Sequence, residues 1–290
     1  MQPGPSPAPD APSPDPSRAA DLAWSALTHR GRFRSNNEDT FLGLAFDAEH
    51  VRHLGKVGRA SLAESDFVFA VSDGMGGAHS GEFASRFTVE RVTRLLPRGF
   101  RRSAGGVSRG FSDIMADVFA AIHRDLTNMG LSYEECAGMG ATLSLGWFTP
   151  EWMHFSHVGD SRIYQLPRGG KLGQLTHDHT YVGGLRRAGQ LNEREARSHP
   201  RRNALQQVLG AGHQFVEPQL ASVACQPGDR FLFCTDGLVD GLWDQRLEEA
   251  LLSAAPVETL AAELVEEAVR SSGRDNVTAI VVAVLPPDAS

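Results

Sequence analysis

The amino-acid sequence predicts an α/β protein folded as a four-layer αββα sandwich, with two mainly antiparallel sheets flanked by helix pairs. Three observations lead there. Apolar runs of strand length recur in groups. Longer stretches with apolar residues at helical spacing come in pairs between those groups. Several of the apolar runs carry an acid at one end, beside Gly, Asn or Ser, which lines a rim of the predicted sheets with carboxylates.

Residues 1–20 are mostly Pro, Ala, Ser and Asp and bury too little apolar surface to offset the entropy of ordering, so they read as a disordered tail before a folded domain at 21–287. Runs 22–30 and 40–46 read as a strand pair joined by a polar loop at 31–39. Residues 47–66 are polar and read as an exposed loop or small hairpin; His50 and His53 have no converging partners there for a metal. Phe67 to Val71 is uninterrupted and apolar, a buried strand. It ends in Ser72-Asp73-Gly74-Met75-Gly76-Gly77, where three glycines in four positions allow a sharp turn and close approach of a ligand.

A helical stripe over 79–96 carries Phe83, Phe87, Val89, Val92, Leu95 and Leu96, and Pro97 and Gly99 read as its stop. The arginines between 98 and 109 then fall in a solvated loop, and a second stripe follows over 107–126. Residues 139–147, 152–158, 161–166 and 171–175 read as a meander of short strands, with Gly159-Asp160-Ser161 as the turn between the second and third. The irregular 176–216 suits a mobile lid, with Asp178 a candidate cap for a helix at 181–187 and another helix at 193–197. Its arginines, Arg186, Arg187, Arg194, Arg197, Arg201 and Arg202, fit either acidic or phosphorylated partners or ordinary surface charge. Strands at 217–225 and 230–235, helices at 243–253 and 257–271, and a strand at 277–285 complete the chain.

Composition narrows the function. A net charge of −7 supplies no basic field for nucleic acid. No apolar stretch approaches the roughly 20 residues that span a bilayer, and the first residues lack an apolar signal core. Three cysteines without metal-ligand spacing suit a reducing cytoplasm, Cys225 and Cys234 on apolar strands and Cys136 in a polar loop as a free thiol.

The acids carry the chemistry. Asp73, Asp160 and Asp236 stand where apolar runs end; Glu38-Asp39 and Asp275 stand where runs begin. Any one alone is a cap or a turn residue, but carboxylates gathered on one rim need a cation to neutralise them. Oxygen-only donors favour Mg²⁺ or Mn²⁺ over Zn²⁺, which takes His or Cys.

The motifs RSNNED, DGMGG, MGATL with HVGDSR, LTHDH, LFCTDGL and GRDNVT follow in this order over roughly residues 24–285. On that ordered set the chain resembles the metal-dependent (PPM, or type 2C) serine/threonine protein phosphatases in their bacterial form. The resemblance implies the same αββα architecture, with 176–216 as the family's flap. It implies that Asp73 bridges two ions, Mn²⁺ or Mg²⁺, and that the Gly74 carbonyl binds one of them. Asp236 and Asp275 would complete one ion, Asp39 and Glu38 would hold the other partly through water, and Asp160 would join Asp236 at a weaker third ion. Two ions about 4 Å apart activate a shared water for in-line attack on phosphorus, with no phosphoenzyme.

Arg34 would contact the substrate phosphoryl group through its planar fork; as a residue in this stretch it equally reads as a screen for the acids beside it. Two departures from the family pattern stand out. Ala78 holds the place after DGMGG where family members usually carry His, with His79 one later. Met75 stands where some members have a His as general acid, which leaves the leaving oxygen's proton to a metal-bound water. The implied activity is hydrolysis of phosphoserine and phosphothreonine on proteins, opposite a bacterial Ser/Thr kinase and its targets, by a monomer in the cytoplasm. Two other readings stay open: a non-catalytic phosphoprotein-binding scaffold of the same fold, against which the full set of acids argues, and a phosphatase of a small phosphate ester or of a phosphorylated anti-sigma antagonist.

Overall fold

A computed structural model describes residues 19–76, 80–104 and 110–287. Most of the expected tail (1–18), Ala78, His79 and the segment 105–109 lie outside the described residues. The chain forms β1 (Asp21–His29), β2 (Asp39–Phe46), β3 (Val51–His53), β4 (Val57–Ser61) and β5 (Asp66–Met75), then helices α1 (Ser80–Ala104) and α2 (Phe111–Ser132). Next come β6 (Gly140–Ala141), β7 (Leu143–Phe148), β8 (Trp152–Val158), β9 (Arg162–Leu166) and β10 (Gly173–Gln174). The flap segment holds α3 (Tyr181–Arg187), α4 (Glu193–Ser198) and β11 (Leu209–Gly210). Last are β12 (Gln219–Ala224), β13 (Arg230–Cys234), α5 (Asp236–Gly241), α6 (Asp244–Leu252), α7 (Val257–Ser271) and β14 (Val277–Leu285).

Among the described residues the strands form two antiparallel sheets, one in the order β10-β9-β13-β14-β1-β4, the other along β11-β6-β5-β7-β8-β12 with β2 beside β5 and β3 beside β2. Their inner faces meet in a layer of aromatic and branched side chains, including Trp24, Phe69, Phe148, Phe231 and Phe233. Trp24 and Phe69 stand 5.7 Å apart by ring centroid and Phe148 and Phe231 5.2 Å, spacings at which tilted and edge-on aromatic pairs are favourable. The outer face of the β5 sheet packs on α1 and α2 through Val92, Leu96, Phe119 and Ile122. The outer face of the β14 sheet packs on α5 to α7 through Leu238, Leu247, Leu260 and Leu264. This is the four-layer sandwich that the element order predicts.

Several local expectations fail where long-range pairing decides. β1 and β2 are not a pair: β1 lies between β14 and β4, while β2 pairs with β5. Val277 to Val284 are all buried, so β14 is a central strand and takes β1 and β13 as its two neighbours. The 47–66 segment is not a hairpin either, since β3 joins β2 in one sheet and β4 joins β1 in the other. The expected meander breaks at Gly159-Asp160: β7 and β8 pair, but β9 crosses to the other sheet beside β13.

Helix α1 runs through Pro97 to Ala104 instead of stopping there. A proline inside a helix removes a single hydrogen bond and bends the chain; here Phe100, one turn on, packs its ring 5.5 Å from Phe46 and 5.9 Å from Trp147 and holds the extra turns in place. Arg98 and Arg101 are therefore helical, and Arg101 donates to the Glu49 carbonyl at 2.8 Å. Helix α2 ends at Ser132, where the Tyr133 amide donates to Met129. Asp178 caps nothing: Thr180 is the N-cap of α3, accepting from the Gly183 amide. At the other end of the domain, Ala19 and Ala20 are buried, and the Ala20 carbonyl accepts from Leu62 at 3.0 Å, so the fold begins two residues inside the expected tail.

Candidate metal centre

Strand register brings the acids together. In the β2–β5 pair Asp39, the first residue of β2, lies directly opposite Asp73, two residues before the end of β5. In the other sheet β13 and β14 are antiparallel neighbours, so Asp236, just after β13, and Asp275, just before β14, occupy the same edge. Asp160 sits in the crossing from β8 to β9, between the two sheets. Thus acids remote in sequence share one end of the sandwich.

The backbone around them is tightly determined. The Asp73 amide donates to Thr142 Oγ1 at 3.0 Å, and the Thr142 amide returns a bond to the Asp73 carbonyl at 2.8 Å. Thr142 Oγ1 also lies 2.7 Å from Ser161 Oγ, which ties β5 to the Asp160 turn. In that turn Gly159 has φ +114°, and a Cβ there would stand 2.5 Å from the Thr142 Cβ, so only glycine fits. At Gly74 a Cβ would meet the Gly81 carbonyl at 1.8 Å, because the backbone after Asp73 presses against the start of α1. The Gly74 amide donates to the Glu38 carbonyl at 3.1 Å, and the Glu38 carboxylate reaches over Gly81.

Asp39 is buried and its Oδ2 accepts from Thr235 Oγ1 at 2.7 Å and Thr278 Oγ1 at 2.8 Å. Asn276 braces the loop before it, accepting from the Glu38 amide at 2.7 Å and donating to the Arg30 and Asn36 carbonyls. Arg34 donates to Asp275 at 2.6 Å and is half exposed. That contact sets the guanidinium directly beside the acids.

The carboxylates disfavour one another's charge. Burial, then Asp39, Asp236, Asp160 and Asp275, push Asp73 well above the ordinary carboxylate range. Asp236 is raised likewise by burial and by Asp160, Asp275, Asp240 and Asp39. Burial pushes Asp39 up to about 7 against the two threonine bonds. Asp160 also rises to about 7, through burial and the nearby Asp178. Glu38 is raised by burial and eased back by Arg34.

Whether the residues fit a metal can be judged from this donor set. It is all oxygen, partly withdrawn from water and mutually repelling, which is what hard divalent ions neutralise. Among the described residues no three His, Cys, Asp or Glu side chains already surround a common point as a finished ion cage. The chemistry of the donors fits Mg²⁺ or Mn²⁺.

Asp240, one helical turn after Asp236, and the clamp residues Thr142, Thr235, Thr278 and Asn276 are not among the residues that sequence reasoning singles out. An acid four residues after Asp236 on a helix was a visible signal for Asp240. His157 is a buried strand residue, held by Ser144 and the Gly159 and His177 carbonyls, and burial lowers its pKa to about 3. Met75 is exposed at the rim and offers no proton. Below the rim Arg162 and Asp178 form a bidentate pair at 2.9 and 2.6 Å, joining β9 to the base of the flap. No helix among the described residues is long and apolar enough to cross a membrane.

Comparison with known proteins agrees with this geometry. The sequence model described as Protein phosphatase 2C matches residues 57–275. The chain is 34% identical over 270 residues to the serine/threonine protein phosphatase PstP of Mycobacterium tuberculosis, covering 92% of this chain and 46% of that protein, so it spans about half of that relative's length. It is 30% identical over 267 residues to protein phosphatase PhpP of Streptococcus pneumoniae, covering 91% of this chain and 98% of that one. Among solved structures, the catalytic domain of PstP in complex with two manganese ions superposes with a TM-score of 0.68 at 31% identity, covering 92% of this chain and 99% of that one.

Proposed function

The chain belongs to the protein phosphatase 2C family, and from that premise we propose that it is a metal-dependent phosphatase hydrolysing phosphoserine and phosphothreonine on proteins. The observation that carries the reading is the convergence of Asp39, Asp73, Asp160, Asp236 and Asp275 at one end of the sheet sandwich, with Arg34 paired to Asp275 beside them. Two metal ions, the number in the manganese complex of PstP, would be held by Asp73, the Gly74 carbonyl, Asp236 and Asp275 together with Asp39 and Glu38. Asp160 and Asp236 are assigned to a weaker third ion. When bound, Mn²⁺ or Mg²⁺ supplies Lewis acidity toward phosphoryl oxygens and lowers the pKa of a water.

The chain's own residues do the positioning. Thr142 fixes the backbone of Asp73 from both sides, and Thr235 and Thr278 hold one Asp39 oxygen so that the other stays directed. Arg34 has the reach and the planar fork to exchange its Asp275 partner for phosphoryl oxygens, orienting the ester and offsetting charge as it accumulates. Met75 leaves the seryl or threonyl oxygen without a side-chain acid at that position, so its proton comes from water. The protein works as a monomer in the cytoplasm, opposite a Ser/Thr kinase and its targets.

Turnover of a phosphothreonine peptide with Mn²⁺, with and without EDTA, tests this directly. Phosphate release that needs the metal supports it. A protein that binds the peptide but never releases phosphate at any Mn²⁺ or Mg²⁺ concentration is a scaffold and not a phosphatase.

A further inference from the structure

The flap carries six arginines that the metal centre does not use; Arg194 is exposed on α4, and the structure sorts the other five. Arg186 is paired with Asp244 at 2.8 Å and Arg197 with Glu193 at 3.1 Å. Arg187 donates to the Asp178 carbonyl, and Arg201 lies 4.2 Å from the Tyr181 ring centroid. Arg202, half-buried, has no side-chain partner among the described residues. It lines a groove of about 720 Å³ between the flap and the turn from α7 into β14, whose other wall carries Arg274, also without a side-chain partner among the described residues. The groove holds four arginines against two acids, Asp240 and Glu267, on a chain whose net charge is −7. Arg246 is bound to Glu267 in a two-toothed pair at 2.8 Å, and Arg197 stacks 4.1 Å from the Trp243 ring centroid, so the two free guanidinium groups are those of Arg202 and Arg274.

The groove is continuous with the centre. Asp240 and Arg202 line both the groove and the inner cavity that contains Asp160 and Asp236. Arg274 immediately precedes Asp275, the partner of Arg34. A chain entering the centre with its phosphorylated residue therefore runs past these arginines on one flank. Trp243, 47% exposed, offers that chain an aromatic face.

We propose that this groove is a specificity subsite for the protein substrate: Arg202 and Arg274 recognise anionic side chains, Asp, Glu or a second phosphoryl group, on one flank of the phosphorylated residue. The proposal rests on the phosphatase reading and adds to it a substrate class, phosphosites in acidic sequence. Free guanidinium groups pair with carboxylate and phosphate oxygens in planar, charge-assisted bonds. At a partly exposed site such bonds are modest and are screened by salt.

The test uses the full chain with Mn²⁺ and a set of phosphothreonine peptides. They differ only in the flanking residues: Ala, Asp on one side, Asp on the other, a second phosphothreonine, or Lys. The small ester p-nitrophenyl phosphate serves as a reference that does not fill the groove. The expected result is a KM about three- to tenfold lower for Asp on one side than for Ala, with Lys higher, the advantage vanishing near 0.5 M salt. The ratio of kcat/KM for Asp to Ala peptides should fall to about one in Arg202→Ala/Arg274→Ala, persist in Arg202→Lys/Arg274→Lys, and invert toward Lys peptides in Arg202→Glu. A gain for the second phosphothreonine alone identifies phosphate as the ligand, and a gain for both identifies any anion. Equal KM for Asp and Ala peptides in wild type, or an acidic preference that survives the double alanine variant, overturns the subsite while the phosphatase reading stands. Absence of turnover for both ester and peptides sinks the phosphatase reading; fluorescence anisotropy of the same labelled peptides then still decides whether the groove binds acidic chains.

Discussion

Asp73 is the residue on which the centre turns, because burial and Asp39, Asp236, Asp160 and Asp275 all raise its pKa and its backbone is bonded on both sides by Thr142. Asp73→Asn keeps its size and removes its charge. Peptide turnover at saturating Mn²⁺ should drop at least about 100-fold, the scale on which a central electrostatic group acts; near-wild-type turnover would remove Asp73 from the centre. Arg34 makes a second case. Arg34→Ala should raise KM for peptide and ester by roughly tenfold or more, and Arg34→Lys should recover only part of it, since the ammonium keeps the charge but not the fork. If lysine restores KM completely, Arg34 is only a screen for Asp275. At this scale the clustered acids were legible in the sequence, since each strand edge that carries them has an acid beside Gly, Asn or Ser. Thr235 and Thr278 were not. Nothing in either local sequence says that two hydroxyls from adjacent strands will meet one Asp39 oxygen; only the pairing of β13 with β14 does.

Elements obey the same division. The strand at Val277–Leu285 and the helix at Val257–Ser271 stand where periodicity puts them, because their burial pattern is carried by their own residues. The misread elements are those whose partners are distant: β1 and β2 in different sheets, β9 leaving the meander, α1 running past Pro97 onto Phe46 and Trp147. Asp178 shows the rule within one side chain. Local sequence offers it as a helix cap, yet Arg162 from β9 takes both its oxygens. Burial opposes the charge on Asp178, and the guanidinium still holds its pKa below the ordinary value. Both side chains are nearly buried, 13% and 14% exposed. Arg162→Leu should therefore cost about 3–5 kcal/mol in urea unfolding, since it strands a buried carboxylate, and Arg162→Leu/Asp178→Asn should recover a large part. Additive losses in the double variant would mean that the two residues do not act as a pair. Because the pair anchors the flap base under Asp160, peptide KM should also rise in Arg162→Leu more than ester KM.

At the scale of the whole molecule, the acidic end of the sandwich is a stability cost that the fold carries for its site, and pH should expose it. In the unfolded chain Asp39 and Asp160 ionise near the ordinary value of about 4. In the metal-free fold they hold their protons up to about 7, and burial and the neighbouring acids also raise Asp73 and Asp236 well above the ordinary carboxylate range. Between those limits the folded state binds more protons than the unfolded state, so unfolding free energy falls as pH rises. The contribution is fully present below about pH 4 and is lost as pH passes through about 7. Other carboxylates, such as Glu267 beside Arg246, have lowered pKa and pull the opposite way at the acid end. In EDTA the melting temperature should therefore peak in the mildly acidic range and decline toward pH 8. Each unit of raised pKa is worth about 1.4 kcal/mol, and a domain of this size moves by about 2–4 °C per kcal/mol, so the decline should be on the order of ten degrees. Mn²⁺ binds the ionised, folded centre and not the unfolded chain, so the stabilisation it gives should grow over the same pH interval. Asp160→Ala separates the parts: it removes one repelling carboxylate, so the metal-free variant should melt no lower than wild type at pH 8 and decline less with pH. It should still be stabilised by Mn²⁺, though less than wild type, and turn over more slowly. A metal-free wild type whose melting temperature rises steadily from pH 5 to pH 8 would mean that the carboxylates are already ionised and compensated without metal. An Asp160→Ala variant with wild-type turnover and a wild-type response to Mn²⁺ at every pH would reduce Asp160 to a turn residue at the crossing of the two sheets.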